Sequence, residues 1–460
     1  MNKLLEQARR ALEANTKQGD ADALATCDDV LQHDLNNPHA MFMAGTALYR
    51  MKQHGLAAIL FNTASQLNPN VAAIWNNYAI SLREYHPKDA IHLLRKALEC
   101  DPQHYEAQKN LAACLGRVGG RDEAIAINTK LMAENPDDHD IPYNLALDLL
   151  HTDDWARAFD CYRHSEGNAQ RHVRNYHADK QTPRWDCHAP GKIIIYGEQG
   201  VGDEILAAAS YRLLNHWNEQ DGGAREFIIE CDPRLEGIFK RSFPWAAVYG
   251  TRNKGELEWP TEEEPDAALI AMAAFGEMSG AFDPDMWKEE PWLTPDPVLV
   301  KMFTDLLARH GDGKKIGLSW SGGAKDWDRM ERTIPVEELG PITAIPDAVV
   351  VSLEYSDGPK PEGVLDLSWA TRKGVDLDVT AALIASLDMV VSVPQTVCDI
   401  AGAVGTPLRA LVSHNPPWRF AEAAGDAWIW EDVKTYRKKE GGNWMPVIAT
   451  CARDIREGLA

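Results

Sequence analysis

The sequence predicts an α-helical repeat solenoid followed by an α/β region of two parallel-sheet lobes facing a cleft. Three observations predict it. Small residues return every 33 or 34 positions through the first 166 residues, prolines punctuate the same units, and from about residue 191 short apolar strands alternate with helices. A chain of 460 residues has room for two to four domains at about 100–200 residues each.

In the repeats, Ala11, Gly45, Ala79, Ala112 and Ala146 are spaced 34, 34, 33 and 34, and Ala23, Ala57, Ala90, Ala124 and Ala158 are spaced 34, 33, 34 and 34. Pro38, Pro69, Pro102 and Pro136 close the units, the first slightly out of phase. Between them run amphipathic helical patterns such as YEAQKNLAACLGRVG and RDEAIAINTKLMAENP. Small residues let paired helices approach closely, and a proline after the second helix cannot continue it. The pattern resembles the tetratricopeptide repeat (TPR) family over residues 1–166. That resemblance implies a superhelix whose concave face binds proteins or peptides. Asn77, Asn110 and Asn144 stand two positions before the small residue of their units. They either point amides inward, where an amide both donates to and accepts from an extended peptide, or cap neighbouring helices.

Residues 167–190 read as a polar, irregular linker. After it, Lys192–Tyr196, Glu226–Glu230, Lys315–Trp320, Ala348–Leu353, Met389–Val393 and Leu408–Val412 read as strands, and Asp203–Asn215 as a helix. Two such series predict Rossmann-like lobes over 191–300 and 301–460, with the Pro-rich acidic stretch around Asp283–Pro297 as the hinge.

Three segments carry candidate chemistry. In GEQGVGDEI, Glu198, Gln199, Gly200 and Gly202 form a turn before Asp203. Glycines there let a ligand approach the backbone at a helix start, while by pattern alone Asp203 reads first as a helix cap. The spacing is neither a dinucleotide fingerprint nor a phosphate-loop motif. In VVSVPQTVCDIAGAVGTP, Gln395 and Thr396 open a helix beyond a strand's carboxyl end, where parallel sheets bind ligands and a diphosphate gains from the helix dipole; a plain tight crossing fits the same pattern. In SWSGGAKDWDRMERTIP, Lys325, Arg329 and Arg332 are cations able to neutralise a leaving phosphate, or else partners of Asp326, Asp328 and Glu331.

TPRWDCHAPGKIIIYGEQGVGDEI, KIGLSWSGG, ERTIP, VVVSLE, SLDMVVSVPQTVCDIAGAVGTP, PPWRF and GGNWMPVI follow the order seen in bacterial TPR glycosyltransferases related to the heptosyltransferases, glycosyltransferase family nine. The resemblance spans residues 183–450, and its layout is similar to the eukaryotic O-GlcNAc transferases. It implies a GT-B unit with an acceptor lobe at 191–300 and a nucleotide-sugar lobe at 301–460. It further implies an inverting reaction that needs no metal and no cofactor beyond the nucleotide-sugar co-substrate. Asp203 is then the general base, Gln395 and Thr396 the diphosphate cradle, and Lys325, Arg329 and Arg332 the leaving-group cations. Trp418 and Arg419 of PPWRF either line the donor cleft or belong to the core.

Two positions depart from the family pattern. Asp399 stands where the family usually carries a donor-contacting His, and an anion near a diphosphate is unfavourable. Asp399 must therefore point away, meet the sugar or base, or abolish donor binding. Trp327 stands where a Lys is usual. These departures sustain a second reading, a non-catalytic TPR scaffold with a degenerate transferase unit. A third is a transferase for lipid or surface polysaccharide.

Composition bounds the partners. Lys and Arg number 47 against 69 Asp and Glu, a formal charge of −22, which disfavours nucleic acid and anionic membrane surfaces. No run approaches the roughly 20 apolar residues of a spanning helix, and the charge-broken N-terminus does not read as a signal peptide. The eight cysteines lack metal or disulfide spacing and read as free thiols of the cytoplasm. Expected partners are a nucleotide sugar and a protein or peptide acceptor held by the repeats.

Overall fold

In the computed structural model the described residues form two compact units, Met1–Asp148 and a second made of Leu149–Ala324 and Asp328–Ala460. The description covers all residues except 153, 166–173, 178–179, 198–199, 253–256, 282–289, 323–325, 422–429 and 459–460, with backbone alone for 278–281 and 326–328.

The first unit is a helical solenoid: α1 (Asn2–Glu13), α2 (Lys17–His33), α3 (Pro38–Arg50), α4 (His54–Leu67), α5 (Ala72–Leu82), α6 (Pro87–Cys100), α7 (Tyr105–Val118), α8 (Arg121–Glu134) and α9 (Asp140–Leu149). Local signals set the helix starts. Thr16 Oγ1 accepts from the Gly19 amide at 3.0 Å and Asn37 Oδ1 from the Ala40 amide at 3.0 Å, each satisfying a helix N–H that has no intrahelical partner. Pro69, Pro102 and Pro136 do follow α4, α6 and α8. Pro38 is out of phase because it begins α3, where a missing N–H costs nothing. The periodic alanines Ala23, Ala57, Ala79, Ala90, Ala112, Ala124 and Ala146 are all fully buried. At Gly45 even a methyl group would fall 2.8 Å from the Phe61 ring. The 34-residue period is thus the spacing of close helix contacts.

The second unit opens with α10 (Trp155–His164), which packs on α15 (Ala271–Ala281) through the Phe159 and Phe275 rings, 5.8 Å apart, and the Arg163–Glu277 ion pair. Its first sheet is parallel, in the order β3-β2-β1-β4: β1 (Gly191–Tyr196), β2 (Arg225–Glu230), β3 (Ala247–Tyr249) and β4 (Ala267–Ile270). The connecting helices are α11 (Val201–Ala207), α12 (Ala209–Gln220), α13 (Glu236–Ser242) and α14 (Trp259–Glu263). The expected single helix from Asp203 is therefore two, broken at Ala208. Where described, the stretch read as a linker packs on this sheet. Tyr176 and Trp185 are buried, the Tyr176 hydroxyl donates to Glu230 Oε2 at 2.6 Å, and the Trp185 amide donates to the Ala268 carbonyl at 2.9 Å.

The second sheet is also parallel, in the order β10-β9-β8-β5-β6-β7: β5 (Lys314–Ser319), β6 (Ala348–Ser352), β7 (Leu365–Asp366), β8 (Met389–Ser392), β9 (Leu408–Val412) and β10 (Val433–Arg437). Around it run α16 (Pro297–Ala308), α17 (Asp326–Arg332), α18 (Gly340–Thr343), α19 (Leu377–Ala385), α20 (Thr396–Val404) and α21 (Met445–Arg456). Ile316, Leu318, Val391, Leu411 and Ile448 are its buried centre, each contributing about 1.5–3 kcal/mol by burial. Half of the stretch read as a hinge, 282–289, lies outside the described residues. The other half is a tie: the Trp292 indole donates to the Ile205 carbonyl at 3.0 Å, and the Trp292 and Leu293 amides to the Ala403 carbonyl, each at 3.0 Å. All eight cysteines are free thiols, and among the described residues no helix is long and apolar enough to cross a membrane.

Candidate functional site

Both sheets start from a first strand and grow outward on either side of it. Each therefore has a point where the connections reverse direction: between β1 and β4 in one, between β5 and β8 in the other. Loops diverge there beyond the strands' carboxyl ends, the usual ligand position in open α/β sheets. The sequence-derived candidates lie in these loops.

Asp203 lies in the first turn of α11. Its Oδ2 accepts from the Gly200 amide at 3.3 Å, as expected of a cap, and its Oδ1 accepts from Arg419 Nη2 at 3.0 Å and Nη1 at 3.2 Å. Arg419 sits on the turn Trp418–Phe420 that follows β9, and the Phe420 carbonyl is held by Arg437 Nη2 at 2.8 Å. The Nε edge of the same guanidinium lies 3.4 Å from Asp399 Oδ1. One cation is thus shared by carboxylates from the two lobes. Their exposures differ: 32% for the Asp203 side chain, 13% for Arg419 and 3% for Asp399. Burial pushes the Asp399 carboxyl up to about 7, with Arg419 pulling it down and Asp203 adding to the rise.

Gly202 makes this meeting possible. A Cβ there would stand 2.5 Å from Asp399 Oδ2 and 3.5 Å from Thr396 Oγ1, so α11 reaches the start of α20 only through a residue without a side chain. Asp399 consequently faces Gly202 and Arg419. Gly197 has a similar role in the first lobe, where its missing side chain leaves room for the Glu204 carboxyl. Burial pushes that group up to about 8, and it accepts from the Asp232 amide at 3.2 Å. Adjacent positions on α11 therefore send one carboxylate outward and one into the core. Glu198 and Gln199 lie outside the described residues.

Gln395 is the N-cap residue of α20 and Thr396 its first residue. The Gln395 amide donates from Nε2 to Ser319 Oγ, and Ser319 Oγ donates to Glu354 Oε2 at 3.2 Å. Glu354, buried at the end of β6, also accepts from the Trp320 and Ser321 amides at 3.3 and 3.1 Å and from Ser321 Oγ at 2.7 Å. One carboxylate thus organises the loops after β5 and β8. Those loops touch at Gly322, where a Cβ would lie 2.9 Å from the Pro394 carbonyl oxygen.

Of the expected cations, Lys325 and the Trp327 side chain lie outside the described residues. Arg329 is exposed on α17 and Arg332 half-buried. Between them, the Glu331 carboxylate lies 3.6 Å from Lys438 Nζ and 3.7 Å from His414 Nδ1, residues that follow β10 and β9. Lys438 Nζ also stands 4.7 Å from the Trp444 ring centroid. Trp418 is buried. Sequence reasoning missed Glu354, His414 and Lys438. The signal was visible for Glu354, which directly follows the strand read over Ala348–Leu353, and for His414, two residues beyond the strand read over Leu408–Val412; Lys438 follows a strand with no clear apolar pattern.

In the repeat unit, the Asn110 amide donates to Asn76 Oδ1 at 2.9 Å, Asn76 donates to Asn77 Oδ1 at 3.1 Å, and Arg83 Nη1 donates to Asn110 Oδ1 at 3.3 Å. Asn77 and Asn110 therefore join adjacent repeats through Asn76. Asn144 is half-buried.

A tetratricopeptide-repeat family model matches residues 81–141, which gives this unit the character of a protein-interaction module. The chain is 25% identical to Protein FlbA of Caulobacter vibrioides over 479 residues, spanning 90% of this chain and 78% of that one. Among solved structures, it is similar to YrrB, described as a TPR protein with an unusual peptide-binding site, at 21% identity over 36% of this chain and 84% of that one, with a TM-score of 0.32. TTC0263, a thermophilic TPR protein of Thermus thermophilus, matches at 15% identity over 36% of this chain and 91% of that one, with a TM-score of 0.31.

Proposed function

We propose that the second unit is an inverting, metal-independent glycosyltransferase of the GT-B type, and that the repeats recruit its protein or peptide acceptor. The observation that carries this reading is the placement of Asp203. It is a partly exposed carboxylate beyond the first strand of one lobe, facing the loops after β8 and β9 of the other. In the reaction, the acceptor hydroxyl oxygen attacks the anomeric carbon while the bond from that carbon to the leaving diphosphate breaks. The hydroxyl proton passes to Asp203. The α20 start, Arg419 and Lys438 supply dipole and positive charge where negative charge develops.

The test is product formation from a panel of nucleotide sugars with cell-derived protein acceptors. Asp203→Asn keeps the shape of the site and removes the base, so transfer should fall by about 100-fold or more; retention of full transfer would remove Asp203 from this role. A second reading, a binding scaffold with a degenerate transferase unit, is favoured by Asp399 at the position where the related enzymes usually carry a histidine. Failure of the unmodified chain to bind any nucleoside diphosphate would establish that reading instead.

A further inference from the structure

Arg419 is bound by two carboxylates in unequal ways. The Nε edge faces Asp399, which is buried among the residues of α20 and closed off by Gly202, whereas the two Nη groups face Asp203, a third of whose side chain is open to solvent. The buried contact is an ion pair at 3.4 Å without a hydrogen bond, enclosed by packing, and the exposed one is hydrogen-bonded at 3.0 and 3.2 Å but open to solvent and so replaceable. Arg419 also belongs to the loop at the carboxyl end of β9, two strands from β5 and adjacent to β8. Its open edge is a fork of N–H donors, which matches phosphate oxygens as well as it matches carboxylate.

We infer that Arg419 exchanges anions: its Nη groups cover Asp203 in this structure, and a nucleoside diphosphate bound beyond β8 and β9 draws them away while Asp399 keeps hold of Nε. The inference rests on the transferase reading and deepens it. While both Arg419 Nη groups donate to Asp203 Oδ1, that oxygen is occupied and not open to an acceptor hydroxyl. Transfer of Arg419 to the diphosphate frees Asp203 at the moment the donor is in place. Asp399 is then a positioning residue. It fixes one edge of the guanidinium so that the other swings between two anions, and the diphosphate, with more than one negative charge, wins the exchange. The arrangement also gives the histidine-to-aspartate departure a role, since the acid meets the arginine and not the diphosphate.

Calorimetric titration of the full chain with ADP, GDP and UDP tests this. For whichever nucleotide the unmodified chain binds, Asp203→Asn should bind it about fivefold tighter or more, because the competing anion is gone and the isosteric amide leaves the packing unchanged. Arg419→Ala should weaken binding about tenfold or more, and Arg419→Lys, with one point charge in place of the fork, should fall between them. The matching nucleoside without phosphates should not distinguish the variants. Affinity unchanged or reduced in Asp203→Asn overturns the exchange even if the nucleotide binds. No binding of any diphosphate to the unmodified chain overturns the transferase reading and this inference together.

Discussion

In the repeat unit Asp148 lies against Gly116 of α7, and in the α/β unit Asp399 lies against Gly202 of α11. A Cβ on Gly116 would be 3.0 Å from Asp148 Cγ, and one on Gly202 would be 2.5 Å from Asp399 Oδ2. Burial pushes both carboxyls up to about 7, each opposed by one nearby guanidinium, Arg121 for Asp148 and Arg419 for Asp399. The two seats are alike in burial, in the glycine that each acid faces and in a nearby guanidinium. Arg419 reaches onward to the half-open Asp203 from the other lobe. A buried acid is a structural feature of either unit; it becomes part of a site only where its counter-ion is shared with an exposed group.

The comparison breaks most visibly if the glycines are filled. Gly116→Ala and Gly202→Ala each place a methyl group against a carboxylate and should destabilise their unit by about 1–3 kcal/mol. Alanine is the better helix former by about 1 kcal/mol, so any net loss understates the clash. Hydrogen exchange should show loosened protection in α7 and α9 for the first variant and in α11 and α20 for the second. Only the second should also weaken the nucleoside diphosphate binding proposed for the α/β unit. Equal loss of binding in both would show that the two seats are not independent.

The two seats were unequally legible in the sequence. Repeat positions follow a local period, so the buried alanines could be named from spacing alone, and the helices they serve are one unit apart. The strands β3 (Ala247–Tyr249), β4 (Ala267–Ile270), β7 (Leu365–Asp366) and β10 (Val433–Arg437) escaped: β3 and β7 are only three and two residues long, β4 runs straight into the apolar start of α15, and Lys434 and Arg437 interrupt the apolar pattern of β10. Asp203 was readable from the glycine turn before α11. Its pairing with Arg419 was not, because 216 residues separate them and the contact exists only once two sheets are built and their loops meet. Glu354 was hidden for the same reason: its donors come from other strands.

A finer comparison uses pH. A carboxyl held near 7 when folded, against an ordinary value of 3.8, keeps its proton in the folded chain and loses it in the unfolded one between about pH 4 and 7. Stability contributed this way is complete below that window and is lost as pH rises through it. Asp148→Asn and Asp399→Asn should each flatten the fall, by up to about 1.4 kcal/mol per pH unit, in denaturant titrations run from pH 5 to 8. Glu204, held up to about 8, remains as a background slope in both variants. Asp232, held down to about 2 by its hydrogen bonds and ion pairs with Arg234 and Arg252, acts only below the window. A slope unchanged by Asp399→Asn would place that carboxylate in its ionised form throughout, paired tightly with Arg419.

The smallest expected effect concerns the asparagine row, where the repeat unit itself offers two kinds of residue. Asn76 is buried and links Asn77 to Asn110, so Asn76→Ala leaves the Asn110 amide without its partner and should cost about 1–2 kcal/mol. Asn144 is half-buried and is not part of that link in the structure; Asn144→Ala should stay within about 0.5 kcal/mol. If the row instead receives an extended acceptor peptide, the order reverses in a binding measurement, because an amide already engaged with its neighbours has less to offer than one that is not. Thermal unfolding together with acceptor binding of these two variants therefore separates amides that hold repeats together from amides that meet a partner.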